Sequence, residues 1–308
     1  MKLFNRIRVG ALSVILAASI FLTASCSKTP VVTATDIILS GNTVVTESPA
    51  VYVDDTGRVS ITSAGTYRIS GELEDGQLWV DCVDAGICTL ILDNVTIYNA
   101  DGPCIVIKNT QQAEIILAED STNTLTDGDD YVFEKPEDDE PDSVIFSKED
   151  LTISGEGSLT VNANFAGGIF SKDGLVISSG NIAITSKTHG IKGKDYLKIT
   201  GGNIDIHAKR DGIKSTNYKN ETLGYVEIDG GVINIFAGDE AVQAVSDVNI
   251  NGGEVKLEST NNGIKCAGII NFVGGNVTVD VQDVALNAAE IVKKDACSVT
   301  VSGLPYEG

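Results

Sequence analysis

The chain of 308 residues contains one tryptophan, one methionine, two histidines and six prolines. So few histidines leave little material for a His-rich metal centre, and no convincing amphipathic helix follows residue 25. Basic residues are also scarce, because 22 Lys and Arg stand against 43 Asp and Glu and the formal net charge is −21. Such a surface repels nucleic acid, so we expect no nucleic-acid partner.

Cysteine is present in a pattern that does not suggest a disulfide framework. If Cys26 carries a lipid, as argued below, an odd number of five cysteines remains, and no two of them are spaced as CxxC. This pattern also disfavours a structural zinc site. The sequence leaves a bridge between Cys82 and Cys88 open.

The N-terminal segment is typical of a targeting sequence. A basic start and an apolar run ending at residue 22, too short to span a membrane, precede small residues and Cys26. We predict a lipoprotein signal peptide over 1–25, acylation of Cys26 and a polar tether over 26–35. An ordinary secretory signal is the alternative. The expected location is extracellular, with the chain lipid-anchored to the cell membrane.

An internal repeat dominates the rest of the chain. Gly168-Ile169, Gly190-Ile191 and Gly212-Ile213 recur every 22 residues, and Ala241-Val242 follows after 29. Each unit holds three short runs of alternating apolar residues and usually a Gly-Gly turn. Three strands per unit predict an all-β fold, a right-handed parallel β-helix with about 22 residues per coil. A twisted two-sheet sandwich is the alternative, but it does not explain a fixed period.

We predict that residues 36–308 form one β-helix domain. Residues 36–125 alternate like strands with an irregular period, which indicates an N-terminal cap and the first coils. Residues 127–142 are rich in acids and are expected to form a loop inserted between coils. Residues 143–308 are assigned to the regular coils.

Stacking of the coils would place equivalent residues in columns, spaced about 4.8 Å apart. The position two residues after each Ile tests this idea, because it should point inward at a tight corner and therefore be small. Its occupants are Ser147, Ser171, Gly193, Ser215, Ala244, Cys266 and Ala288.

Two outward columns are candidates for chemistry. The first column contains Lys192, Lys214 and Lys265, which either bind the carboxylates or hydroxyls of a sugar chain or merely offset the acidic surface. His189 and Arg210, in the turns beside this column, are further candidate ligand-binding residues. A second column stacks carboxylates, which repel one another unless Ca²⁺ bridges them. The alternative is a solvated face with weak Lys–Asp pairs. The candidate calcium ligands of this column are Glu149, Asp173, Asp195 and Asn217.

Five stretches of the chain together resemble a known family. They are GTYRISG at 65–71, NTLTDG at 123–128, IFSKEDL at 145–151, GIKGKDY at 190–196 and DGIKSTN at 211–217. The chain resembles the bacterial carbohydrate-binding β-helix family, usually described as carbohydrate-binding domain-containing proteins. That family is related in fold to calcium-dependent pectate lyases. The resemblance covers roughly residues 55–290.

The resemblance implies binding of polysaccharide with calcium as the cofactor. An acidic plant cell-wall polymer such as polygalacturonate, or cellulose, is the implied ligand. In the related lyases an Asp-Asp-Gly-type turn supplies calcium ligands, and the matching turns here supply Asp211, Asp239 and Glu240. Only one of these turns keeps two acids, which argues against a complete lyase site.

Three functions follow from this interpretation. The first is a binding module that holds calcium and polysaccharide at the cell surface. The second is a calcium-assisted polysaccharide lyase acting by β-elimination, with Lys192 or Lys214 as the base. The third is a structural surface protein or adhesin. Because the acid pairs are incomplete, we expect binding rather than catalysis.

Overall fold

The computed structural model describes residues 33–307, except 134, 136 and 138. The predicted signal peptide, Cys26 and most of the tether therefore lie outside the described residues, and the lipid anchor stays a prediction. Within the described residues, no helix is long and apolar enough to cross a membrane. The five described cysteines are free and buried, so Cys82 and Cys88 are not bridged.

The described residues form 32 strands and no helix. The strands, in chain order, are β1 Thr35–Gly41, β2 Thr43–Val45, β3 Val51–Val53, β4 Arg58–Ile61, β5 Gly65–Leu73, β6 Gln77–Asp81, β7 Ile87–Asn99, β8 Ile105–Asn109, β9 Gln112–Leu117, β10 Thr122–Asp127, β11 Ser143–Ser147, β12 Leu151–Gly155, β13 Ser158–Ala163, β14 Gly167–Ser171, β15 Gly174–Ile177, β16 Asn181–Ser186, β17 Ile191–Gly193, β18 Tyr196–Ile199, β19 Asn203–Ala208, β20 Ile213–Ser215, β21 Tyr225–Ile228, β22 Val232–Ala237, β23 Val242–Gln243, β24 Val248–Ile250, β25 Glu254–Ser259, β26 Ile264–Lys265, β27 Ile269–Phe272, β28 Gly275–Val281, β29 Leu286–Asn287, β30 Glu290–Lys293, β31 Cys297–Val301 and β32 Leu304–Pro305.

Apart from the antiparallel pairs β1–β2, β3–β4 and β31–β32, the strands form three parallel ladders, one for each side of a triangular coil. Face 1 is an 11-stranded sheet in the order β3-β4-β6-β8-β11-β14-β17-β20-β23-β26-β29. Face 2 runs from β9 through β12, β15, β18, β21, β24 and β27 to β30, and face 3 runs from β10 through β13, β16, β19, β22, β25 and β28 to β31. The long strand β7 joins faces 2 and 3, because its first half pairs with β9 and its second half pairs with β10.

The register confirms the predicted parallel β-helix. On face 1, Ile145 pairs with Ile169, Ile169 with Ile191, and Ile191 with Ile213. The predicted column of small residues is also present, because Ser171 pairs with Gly193 and Gly193 pairs with Ser215. Ser171 and Ser215 are buried, as inward positions at a corner require.

The interior is a stack of aliphatic side chains. Ile191, Ile199 and Ile206 come from the three faces of one coil and are fully buried. Each such side chain contributes roughly 1.5–3 kcal/mol by leaving water. The residue before each face-1 Ile must be small: a Cβ on Gly212 would lie 2.2 Å from Cγ2 of Ile235. This close approach explains the recurring Gly-Ile and Ala-Val pairs.

One buried amide fixes the corner where β7 bends from face 2 to face 3. Asn123 is fully buried, and its Oδ1 accepts a hydrogen bond from the N–H of Val95 at 2.9 Å. Its Nδ2 donates to Oγ of Ser121 and to the carbonyl of Ser158. The side chain thus replaces ladder hydrogen bonds that the bend removes.

We expect Asn123→Ala to lower the free energy of unfolding by about 2 kcal/mol or more, because buried groups lose their partners. Asn181→Ala is the control, because Asn181 is exposed and should cost within about 0.5 kcal/mol. Urea unfolding of both variants measures the difference. Equal unfolding midpoints for the two variants would contradict this role of Asn123.

Candidate functional site

One column of side chains runs along the outer side of face 1 for most of its length. Strand alternation points these residues away from the core. The column is apolar in its first half and mostly cationic in its second. Its paired members, here called the outer column, are Trp79, Val106, Phe146, Phe170, Lys192, Lys214, Gln243, Lys265 and Asn287.

Phe146 and Phe170 lie on the outer side of face 1 and are nevertheless buried. They form a small apolar cluster with Val106, separate from the main core. Glu140 and Asp142 of the acidic insertion reach the same side of the sheet, where Glu140 pairs with Lys172. The acidic insertion therefore packs over the middle of face 1.

A buried carboxyl group anchors the insertion at its start. Asp127 is fully buried, and its Oδ2 accepts a hydrogen bond from the Tyr131 hydroxyl at 2.8 Å. The Tyr131 ring stacks on Phe165 with centroids 4.1 Å apart. Burial raises the pKa of Asp127, although the hydrogen bonds from Tyr131 and from the backbone N–H groups of Asn164 and Phe165 oppose the shift. The insertion is thus fixed by both polar and aromatic contacts.

Lys192 lies at the junction of the apolar and cationic halves. Its Nζ is 3.5 Å from the ring centroid of Phe170 and 3.6 Å from Oδ2 of Asp142. Burial lowers the pKa of Lys192, although Asp142 and Glu140 oppose this shift. The next column member, Lys214, places its Nζ 2.6 Å from Oδ2 of Asp211.

Asp211 is a buried carboxylate held by two basic side chains. Besides Lys214, Nδ1 of His189 lies 3.0 Å from Oδ2 of Asp211. Burial alone would raise the pKa of Asp211, but the contacts with His189 and Lys214 outweigh burial and hold the pKa well below its usual range. The pKa of His189 is lowered, mainly by burial.

Glu240 lies in the next coil and is also buried, but its pKa moves in the opposite direction. Its Oε1 accepts hydrogen bonds from Nζ of Lys265 at 2.7 Å and from Nδ2 of Asn262 at 3.0 Å. Burial raises the pKa of Glu240 despite Lys265, and the nearby carboxyl groups of Asp211 and Asp239 add to the shift. Lys265 therefore does not fully offset the negative charge around Glu240.

Asp211, Asp239 and Glu240 form what we call the carboxylate cluster. One oxygen from each lies within 4.8 Å of the other two, and no other group of three acids, cysteines or histidines among the described residues does so. Calcium binds oxygens at about 2.3–2.6 Å, so two ligands of one ion lie up to about 5 Å apart. Among the described residues, Oε2 of Glu240 and Oδ2 of Asp239 have no hydrogen-bond donor. The donor set therefore fits Ca²⁺.

The other predicted metal ligands lie at a different corner of the coil. Nδ2 of Asn217 donates to Oδ1 of Asp195 at 2.7 Å. Burial raises the pKa of Glu149 and of Asp173, and in each case the next carboxylate of the column adds to the shift. These residues do not bring three carboxylate oxygens within 4.8 Å of one another among the described residues. The seven predicted metal ligands thus separate into two sets.

The two remaining predicted binding residues differ in their surroundings. Lys265 is bound to Glu240, as described above. Arg210 is exposed, and no ion pair of Arg210 occurs among the described residues. Its backbone lies in the turn column between Thr188 and Asp239. Arg210 is therefore available to a ligand from solvent.

Sequence reasoning missed the amides around the carboxylate cluster and the role of the insertion. Asn261 donates to Oδ1 of Asp239 at 2.7 Å, and Asn262 donates to Glu240. Both amides occupy the turn position that holds acids one coil earlier, so the column alignment contained this signal. Asp142 had no such signal, because it lies outside the repeat.

The profile of a family described as carbohydrate-binding domain-containing protein matches residues 54–303. The chain belongs to this family. A protein of the same description from Acetivibrio thermocellus is 44% identical over 126 residues, which is 41% of this chain. The matched segment spans 44% of that relative's length.

A solved structure agrees with the family and the fold. It is described as the polysaccharide lyase-like protein from C. thermocellum, in a gadolinium derivative. It is 34% identical to this chain, covers 87% of it and 100% of its own length, and has a TM-score of 0.68. This agreement supports the assignment of the chain to the family and to the parallel β-helix fold.

We expect Lys214→Gln to lower the free energy of unfolding by about 3 kcal/mol at neutral pH, because it leaves Asp211 buried without its closest cation. Lys198→Gln is the control, because Lys198 forms more exposed pairs with Glu227 and Asp229 and should cost at most about 1 kcal/mol. Denaturant unfolding measures both effects.

The pH dependence of this difference follows from the pKa of Asp211. A depressed carboxyl pKa contributes stability above the ordinary carboxyl range, and that stability is lost as the pH falls. The gap between wild type and Lys214→Gln should therefore narrow below about pH 4. A gap that widens in acid would contradict the assignment.

Proposed function

We propose that the cationic half of the outer column binds an acidic polysaccharide with the help of calcium. The carboxylate cluster of Asp211, Asp239 and Glu240 carries this proposal, because it places three oxygens within 4.8 Å of one another beside a row of lysines. Polygalacturonate is the kind of polymer that suits this surface, and the proposed location is the cell surface.

The acidic and the basic residues of the site would have different roles. Asp211, Asp239 and Glu240 would hold calcium, which supplies positive charge beside a carboxylate of the sugar. Nζ groups of Lys192, Lys214 and Lys265 would donate to carboxylates and hydroxyls. Since the paired positions repeat at about 4.8 Å per coil, the surface offers similar groups at regular intervals to a linear repeating polymer.

Local charge explains how an acidic chain would bind an acidic polymer. The formal net charge of −21 repels polyanions in general. Lys214 and Lys265 already pair with two of the three clustered carboxylates, so lysine alone leaves little positive charge for a ligand. Calcium would supply the missing charge, and binding should therefore depend on it.

Calorimetric titration of calcium tests the metal site. We expect Asp239→Asn/Glu240→Gln to weaken calcium binding at least tenfold, because it removes two of the three carboxylates. Asp173→Asn/Asp195→Asn is the matched control, since it removes two carboxylates from the other corner and should leave the heat of binding unchanged.

Retention on polygalacturonate gels tests the proposed ligand with the same proteins. Wild type and the control should be retained with calcium and released by a chelator, and the cluster variant should not be retained. Equal calcium heats for wild type and the cluster variant would refute the metal site. Absence of retention on any glycan would instead favour a structural surface protein or adhesin.

A calcium-assisted lyase is the second candidate, and one observation favours it. Burial lowers the pKa of Lys192, which would make its amine a better base at neutral pH. Such a lyase would release an unsaturated product that absorbs in the ultraviolet. We expect that Lys192→Ala removes this signal and that Lys194→Ala, one position beyond β17, keeps it. No product from wild type on several uronates would exclude catalysis on them.

A further inference from the structure

A large cleft lies at the other end of the outer column, away from the carboxylate cluster. Its volume is about 1040 Å³. The outer side of face 1 forms the floor, with Arg58, Gln77 and Trp79 from β4 and β6, and the acidic insertion forms one wall with Tyr131 and Phe133. A cleft of this size takes a ligand of several rings.

The floor presents polar groups that lack partners. Arg58 and Gln77 are paired positions of neighbouring strands, and both point outward because they alternate with buried Val59 and Leu78. Nε of Arg58 and Oε1 of Gln77 are buried atoms without a hydrogen-bond partner among the described residues. A donor and an acceptor left unpaired in one cleft both match a hydroxyl group, which donates and accepts.

An aromatic ring lies beside these two groups. The Arg58 guanidinium is 4.2 Å from the ring centroid of Trp79. The ring is half-buried, Nζ of Lys108 lies 5.8 Å from its centroid, and it packs against the apolar cluster of Val106 and Phe146. An amphipathic ring held rigidly between a cation and an apolar cluster is well suited to contact a sugar ring.

The charge of the lining decides between sugar classes. Seven acidic and three basic residues line the cleft, and one of the three basic residues, Lys108, already pairs with Asp81 at 2.7 Å. A polyanion would be repelled here, in contrast to the lysine row. Carboxylates still accept hydrogen bonds from hydroxyl groups, so an uncharged sugar suits this lining.

We propose that this cleft is a second carbohydrate site, which binds an uncharged oligosaccharide on Trp79 with its hydroxyls bonded to Arg58 and Gln77. The cleft is distinct from the carboxylate cluster, since none of Asp211, Asp239 and Glu240 is among the residues that line it. The proposal uses the family's carbohydrate binding and needs neither calcium nor the lysine row. Either proposal can therefore be refuted while the other stands.

Calorimetry with cellohexaose, xylohexaose and mannohexaose, in the presence of a chelator, tests the cleft. We expect wild type to bind at least one of them and Trp79→Ala to bind it about tenfold more weakly. Because Trp79 also packs on the apolar cluster, Gln77→Ala serves as a second variant that keeps this packing, and it should weaken binding too. Unfolding midpoints establish that both variants are folded.

Two controls separate this site from the rest of the surface. Phe236→Ala removes an exposed aromatic ring from face 3 and should leave binding unchanged. Lys198→Gln changes a lysine of face 2, outside the cleft, and should also leave binding unchanged. Absence of binding to all three sugars, or unchanged affinity in the folded Gln77→Ala variant, would overturn the proposal. So would binding of oligolysine in place of sugar, which would indicate a cationic ligand.

Discussion

Parallel pairing between successive coils is the constraint on which the rest of this structure depends. Each face-1 strand satisfies its backbone groups with the next coil, and this fixes equivalent residues directly above one another. Aliphatic columns such as Ile169, Ile191 and Ile213 gain from that arrangement, because identical shapes pack well. Stacking destabilises a column of carboxylates, because each carboxylate then has another carboxylate as its neighbour about 4.8 Å away.

The chain solves this charge problem in two ways. At the corner that follows face 1, an amide replaces an acid, since Asn217 donates to Asp195. In the carboxylate cluster, lysines from the adjacent column neutralise the acids instead: Lys214 pairs with Asp211 and Lys265 pairs with Glu240. The second solution is incomplete: the pKa of Asp211 is lowered while burial raises that of Glu240. Three carboxylate oxygens within 4.8 Å of one another, served by only two lysines, are the physical reason to propose a cation there.

The sequence alone was sufficient for the fold and for the columns, and the reason is periodicity. A fixed interval between Ile169, Ile191 and Ile213 is enough to infer stacking, and the small column through Ser171 and Gly193 followed from the same rule. The site was only partly predictable. The contact between Lys192 and Asp142 joins a coil to an insertion, where no period relates the two residues. The unpaired atoms of Arg58 and Gln77 depend on side-chain conformations that no spacing specifies.

The position of the insertion accounts for the division of the outer column. Phe146 and Phe170 would be a costly exposed apolar patch if nothing covered them. The insertion covers them, and Asp127 and Tyr131 fix its start by a buried hydrogen bond. Its acids then face Lys192 on one side and the cleft of Trp79 on the other. One covered patch thereby separates the row of lysines and the carboxylate cluster from an acidic cleft, and the two surfaces therefore suit different ligands.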